Sequence, residues 1–343
     1  MLLADLGAEV VRLDRPGGNG WRNPIVDRGR ATIIVDLKRE TDRELCFSIA
    51  KQADVLIEGF RPGVMERLGF GPDVLLAHHP SLVYARITGW GQTGPLASTA
   101  GHDIDYIAVS GALAAIGPQD RPPVPPLNLI GDFAGGSLVA ALGILAALRE
   151  REQSGRGQVI DAAIVDGVAS LMSMFTGLRD NPAASLERDR SLLGGAAPFY
   201  RCYTCSDGLP IAVGALEPQF YAELVRLTGA PPEFLKSQQD RENWARRTQA
   251  FAALFAQRSR PEWLRIFAGS DACVAPALTL AEAMHDDHLR TRGTYVELDG
   301  IIQNAPIPRF SRTPGRIRRT QVADEALRRW GLGDALERRR SSS

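Results

Sequence analysis

Lysine is nearly missing from this chain. Of its 40 basic residues only Lys38, Lys51 and Lys236 are lysines, and the rest are arginine. Few positions are therefore left for a Schiff-base lysine of the kind a pyridoxal enzyme needs. Net charge is missing too: 40 acidic residues balance 40 basic ones. Nothing in that balance draws the chain to nucleic acid or to a membrane surface. The sequence reads as having no apolar run of the roughly 20 residues needed to span a bilayer. Met1-Leu2-Leu3-Ala4 is followed at once by Asp5, which is not a secretory signal pattern. There are four cysteines. Cys202-Tyr203-Thr204-Cys205 matches C-x-x-C, but it lies in a strand-like alternation and has no second pair to complete a zinc site. Such sparse cysteine fits a reducing, cytoplasmic location. Walker A, H-E-x-x-H and G-x-S-x-G motifs are absent, and Arg338-Arg339-Arg340 reads as a solvated tail.

What is present is an alternation of short β-branched runs and helical patterns. Strands are expected at 9–14, 31–36, 53–57, 82–87 and 158–161, with helices at 40–52 and 72–78, which argues a parallel α/β sheet. Residues 134–149 predict an apolar helix buried on most sides, and a long helix is expected over 161–178. Met1–Leu6 before Gly7 reads as the last turns of a helix with a glycine cap. The 343 residues leave room for about two domains. The expected division is 1–180 as a large domain, 181–196 as a linker, 197–292 as a small domain and 293–343 as a return to the large one. Within the small domain, 199–213 predicts a hairpin around Ser206-Asp207-Gly208. Helices are expected at 218–228, 241–257 and 261–268. Residues 297–320 read as extended and proline-rich, and 322–330 as a short helix.

Three groups carry chemistry. His102, beside Asp103 and Asp105, is a side chain that can take or give a proton near neutral pH; taken alone, the group also reads as a capped helix start. Gly131-Asp132-Phe133-Ala134-Gly135-Gly136-Ser137 opens the apolar helix. A glycine-rich helix start presents backbone donors to an anion, whether phosphate, carboxylate or enolate. Glu217-Pro218 places a carboxylate before a proline in the first-turn position. His285-Asp286-Asp287-His288 has metal-like spacing but no third ligand nearby and reads as surface, so no metal is expected.

Longer stretches carry a resemblance: "RLDRPGG" (12–18), "VDLK" (35–38), "ADVLIEGFRPGVMERLGFGP" (53–72), "YARITGWGQTGP" (84–95), "AGHDIDY" (100–106), "PPLNLIGDFAGGS" (125–137), "SGRGQVIDAAIVDG" (154–167), "VGALEPQFY" (213–221) and "SDACVAP" (270–276). Together they span nearly the whole chain. The sequence resembles the family III CoA-transferase superfamily and, within it, the bacterial α-methylacyl-CoA racemases. The resemblance implies a Rossmann-like large domain with a parallel sheet, a smaller inserted α+β domain and an interlocked homodimer. It implies a strand and a helix start upstream of "MLLADLGAEV". It also implies racemisation of 2-methylacyl-CoA thioesters by two-base 1,1-proton transfer through an enolate. His102 and Asp132 would be the acid and base, and Glu217 would hydrogen-bond His102.

By the same resemblance, Arg15, Val35, Asp36, Leu37, Lys38, Gly59, Phe60, Arg61, Arg67, Gly101, Asp103, Ile104, Asp105 and Tyr106 match coenzyme A-binding positions. Arginine suits the phosphates. Backbone donors of Gly131–Ser137 would hold the enolate oxygen. No cofactor is implied, since coenzyme A is part of the substrate, and no nucleic-acid or membrane partner. Two rivals remain: a CoA-transferase using Asp132 as nucleophile, and an acyl-CoA-binding protein without turnover. The histidine of "GHD" is generally absent from the transferases, so His102 favours racemisation.

Overall fold

The computed structural model describes residues 1–18, 22–181 and 184–341. Strand β1 (Val10–Asp14) pairs in parallel with β2 (Arg30–Ile34). A second parallel sheet has the order β3 (Val55–Glu58), β4 (Val83–Thr88), β5 (Val159–Ala163), with β4 in the middle. Helices Glu40–Gln52 and Pro72–His78 fall between strands, as the alternation predicts. The pattern has a physical basis. In β4 Val83, Tyr84 and Ala85 are fully buried, as expected of a strand covered on both faces, where apolar residues run without alternation. Helix Pro72–His78 starts with proline after an extended Gly71, where the missing N–H has no partner to lose.

The chain forms two compact units. The first comprises Met1–Asp103, Gly131–Gly167 and Asp286–Ser343; the second comprises Ile104–Ile130 and Val168–His285. Residues 104–130 thus group with the second unit, whereas the sequence reading keeps 1–180 together. The second unit holds an antiparallel sheet of β6 (Tyr200–Thr204), β7 (Pro210–Gly214) and β8 (Val274–Pro276). The expected β6–β7 hairpin is formed, and Gly208 takes the left-handed conformation (φ 77°) its turn requires. Helices Pro218–Thr228, Trp244–Phe255 and Arg260–Phe267 pack an aromatic core on it.

Four local expectations need correction. The apolar helical path runs Leu129–Ser154, and only 28% of its most apolar stretch is buried. By length and composition it reaches a membrane-spanning run, against the sequence reading. Ala140, Ile144 and Ala147 are buried, while Leu138, Leu142 and Leu145 are exposed. The helix packs on the sheet at Gly143, where a Cβ would reach ordinary contact with Ile160 Cγ2 at 3.4 Å. Next, the helix expected over 161–178 starts only after β5, at Ile164, and breaks at Met172 into Ile164–Leu171 and Ser173–Gly177. The extended stretch opens instead with a hairpin of β9 (Tyr295–Leu298) and β10 (Ile301–Asn304). Finally, Arg338–Arg340 is no loose tail. It lies on helix Gly333–Ser341, where Arg339 pairs with buried Asp42 and Arg340 with Asp324.

Candidate active site

His102 is exposed and directly precedes helix Asp103–Val109. Asp132 is half-buried in a wide-turned, π-type helical run, Leu129–Leu138. π turns are rare and recur at functional sites. One contact joins these two stretches: the Asp132 backbone N–H donates to Asp103 Oδ2 at 2.7 Å. The approach needs glycine, because a Cβ on Gly131 would fall 2.3 Å from that oxygen. Asp103, the sequence neighbour of His102, thus ties that stretch to the Asp132 backbone within the first unit.

The glycines have a different task from the one expected. The helical run begins at Leu129, so Gly135–Ser137 lie inside it, where backbone N–H groups are spent on the helix rather than free for an oxyanion. Close contact is what the glycines permit here: a Cβ on Gly136 would lie 3.0 Å from Ile164 Cγ1, and one on Gly167, which faces this run, would lie 1.9 Å from Gly135 O. Ser137 Oγ donates to Asp132 O at 2.9 Å.

The other candidate positions in the first unit gather at the carboxyl ends of parallel strands, where open α/β sheets bind ligands. Exposed Arg15 follows β1, Val35–Lys38 follows β2 and Gly59–Arg61 follows β3. Each of the last two turns is tied down by a buried carboxylate. After β2, the Asp42 carboxylate accepts the Asp36 N–H at 2.7 Å and Arg339 Nε at 2.5 Å. Lys38 N donates to Asp36 Oδ1 at 3.0 Å. Val35 is itself buried and belongs to the core, while Lys38 is exposed.

At β3, Glu58 Oε2 accepts the Phe60 N–H at 2.7 Å, and its other oxygen receives Arg86 Nε at 2.8 Å. Arg86 Nη1 reaches Glu66 Oε1 at 2.8 Å, on the helix Val64–Leu68 that carries the exposed Arg67. Arg86 thereby sets the Gly59–Arg61 turn and the Arg67 helix at a fixed spacing. Its hydrogen bond holds Glu66 below the usual carboxylate range. Burial opposes the charge on Asp42, but the Asp36 N–H and Arg339 outweigh it and hold that carboxyl low as well. Asp42, Glu58, Glu66, Arg86 and Arg339 do not stand out in the sequence. The one available signal is a charged residue inside an apolar strand, as Arg86 is in "LVYARI".

The remaining candidates lie in the second unit. Ile104 and Asp105 are exposed and Tyr106 is buried. Exposed Glu217 occupies the N-cap position of helix Pro218–Thr228, yet its side chain makes no capping bond. Cys273 lies close enough that Glu217, after burial, helps push its thiol up. Among the described residues no group of three His, Cys, Asp or Glu side chains is placed to hold a metal ion. In the His285–His288 stretch Asp286 caps a helix, accepting the Leu289 N–H at 3.0 Å.

The protein combines parallel α/β sheets with exposed arginines after strand ends, and one hydrogen bond from the Asp132 backbone to Asp103 joins the two stretches that carry His102 and Asp132. The chain belongs to CoA-transferase family III, whose model matches residues 1–321. It is 46% identical over 316 residues to the α-methylacyl-CoA racemase of Mus musculus, covering 92% of this chain and 82% of that one. To the Homo sapiens protein of the same name it is 42% identical over 324 residues, covering 92% and 85%. A succinyl-CoA–D-citramalate CoA-transferase of Chloroflexus aurantiacus is 31% identical over 344 residues, covering 92% and 84%. Among solved structures, a CAIB/BAIF family protein from Brucella suis superposes with a TM-score of 0.80 at 26% identity, covering 98% of this chain and 93% of that one.

Proposed function

We propose that this protein interconverts the two configurations of 2-methylacyl-CoA thioesters by moving a proton at Cα. The observation that supports the reading is the Asp103 bridge: the residue next to His102 in sequence accepts the Asp132 backbone N–H. A thioester α-proton is a very weak acid, so its removal needs a positioned base and a stabilised enolate. Neutral His102 takes the proton from one face of Cα. The electron pair moves into the enolate, and protonated Asp132 delivers a proton to the other face. His102 is then imidazolium and Asp132 carboxylate, which is the state that runs the reaction in the opposite direction. Glu217 would accept a hydrogen bond from His102 and orient its ring. Arg15, Lys38, Arg61 and Arg67 would meet the coenzyme A phosphates, with the acyl group on an apolar surface.

The interlocked homodimer, with a Rossmann-like large domain and an inserted small one, belongs to the same proposal. The exposed leucines 138, 142 and 145 support it, since a second copy would cover them. We place the protein in the cytoplasm, in keeping with its four free cysteines.

The test is to incubate an acyl-CoA of single configuration with the protein and no acceptor acid, and to follow its optical activity. Decay to the racemate with coenzyme A still attached is expected. A requirement for a free carboxylic acid, with coenzyme A passing to it, would instead make Asp132 a nucleophile and the protein a transferase. An unchanged substrate that nonetheless binds would leave an acyl-CoA-binding protein.

A further inference from the structure

Asp103 is a buried carboxylate, 7% exposed, with a role that neither its own helix nor the core explains. One oxygen, Oδ2, accepts the Asp132 N–H. The other, Oδ1, is buried and has no hydrogen-bond partner among the described residues. A buried polar oxygen left without a partner costs stability, and each such group in a native protein calls for an explanation beyond folding. The neighbouring sequence has been cleared for it: Gly131 is the one residue type whose absent Cβ leaves room for Oδ2. At the same time Asp103 is the peptide neighbour of His102. It is thus joined covalently to one of the two proton-carrying residues and by a 2.7 Å hydrogen bond to the backbone of the other.

We infer that Asp103 is the positioning residue that sets the spacing of His102 and Asp132 across the reacting carbon, rather than a ligand of coenzyme A. The inference rests on the reading that those two side chains move the proton. Its side chain touches neither substrate nor Cα; it acts by holding the Asp132 helix turn against the His102 turn. Two acid–base groups on opposite faces of one carbon tolerate little error, since a displacement of about 1 Å costs on the order of 100-fold in rate. A residue that only sets this spacing influences the proton-transfer step and leaves coenzyme A affinity alone.

The experiment is the racemisation kinetics of Asp103→Ala, Asp103→Asn and Gly131→Ala across a range of acyl-CoA concentration, with circular dichroism as the check on folding. Asp103→Ala should lose on the order of 100-fold in kcat at unchanged KM. Asp103→Asn keeps an oxygen able to accept the Asp132 N–H and should recover most of that loss. Gly131→Ala drives a methyl against Oδ2 and should reproduce the alanine variant's signature. If Asp103→Ala raises KM while kcat stands, the carboxylate binds coenzyme A and the inference is overturned. Wild-type kinetics in Asp103→Ala would overturn it as well, and so would an asparagine variant as slow as the alanine one. Should Asp103→Ala fail to fold, a Gly131→Ala variant that retains its kcat overturns the inference instead. Wild-type protein that leaves the configuration of its substrate untouched would overturn the racemase reading itself, a result separate from all of these.

Discussion

The two units of this chain build their interiors from different materials. The first is aliphatic: Ile33, Leu45, Ile49, Leu75, Leu82 and Leu327 are buried together. The second is aromatic: Phe199, Tyr203, Tyr221, Trp244, Phe251, Phe255, Trp263 and Phe267 form one cluster, with Phe255 stacked on Tyr203 at 5.0 Å and tilted on Trp263 at 5.1 Å. Charge divides the same way. Among the described residues the buried carboxylates are Asp5, Asp42, Glu58 and Asp103, all of the first unit. Asp5 pairs with Arg28 at 2.5 Å. The other three each accept a backbone N–H from a residue in a candidate ligand segment: Asp36, Phe60 and Asp132. The second unit buries Arg247 and Arg260 instead, partly on main-chain carbonyls. Aromatic rings give packing at little cost in polar desolvation. Buried carboxylates give less stability but fix a turn in place. The first unit holds the turns that need fixing.

If the chemistry belongs to the first unit, the sharpest break comes there. His102→Ala and Asp132→Asn should each lower racemisation on the order of 10²–10⁴-fold, with coenzyme A affinity nearly unchanged. Wild-type rates in either variant would remove that residue from the mechanism.

A matched pair of substitutions separates packing from positioning. Arg86→Met strands Glu58 in the interior and should cost ~3–5 kcal/mol of stability. Phe255→Ala in the second unit should cost a similar ~3–5 kcal/mol through its cavity. Urea denaturation measures both, yet only Arg86→Met should also raise KM for acyl-CoA. Equal KM values in the two variants would undo the assignment of Arg86 as a spacer. Arg15→Ala and Arg67→Ala should raise KM more than they lower kcat, since phosphate contacts remote from Cα hold substrate and transition state alike.

Acid should act on both units. Glu66 and Asp42 have carboxyls depressed below ordinary values of 4.5 and 3.8. A depressed carboxyl contributes stability that is complete above its unfolded pKa and is lost as pH falls through the folded one. In the second unit Glu282 is held lower, to about 2, first by the Thr279 N–H and then by Arg260. Denaturation midpoints should therefore begin to fall below about pH 4.5. Glu66→Gln should flatten the early part of that fall and Glu282→Gln the part nearest pH 2. Midpoints independent of pH over this range would contradict both.

The smallest effect is chemical. Burial pushes the Cys46 thiol up to about 12, whereas Cys202 and Cys273 are exposed. Iodoacetamide on the native protein should spare Cys46 and label the exposed pair. Rapid Cys46 labelling without unfolding would show that the first unit's core opens freely.

Much of this is legible in the sequence, for reasons that particular elements make plain. Helix Pro72–His78 announces itself by a glycine, a proline at its start and an apolar period. The hairpin around Gly208 has turn residues at the only place they fit. His102 stands out because few side chains exchange protons near neutral pH, Asp132 because it opens a glycine-rich helical stretch, and the family resemblance points to both. What is not legible depends on the third dimension. Residues 134–149 are apolar, but which leucines face the sheet is a matter of packing, not composition. The glycines after Asp132 read as anion donors because a helix start is expected among them; the helix begins earlier, and they serve close contact. Asp42 and Arg339 meet across 297 residues of sequence, which no local pattern reveals.

The most direct test of the account follows the proton itself. Each enantiomer of a 2-methylacyl-CoA is incubated separately with the protein in D₂O, without acceptor acid, and the product is analysed by mass and by configuration. Two bases on opposite faces of Cα predict one deuterium at that carbon and loss of configuration from either starting enantiomer. Unlabelled substrate of retained configuration, or coenzyme A transfer without Cα exchange when an acid is added, would contradict it.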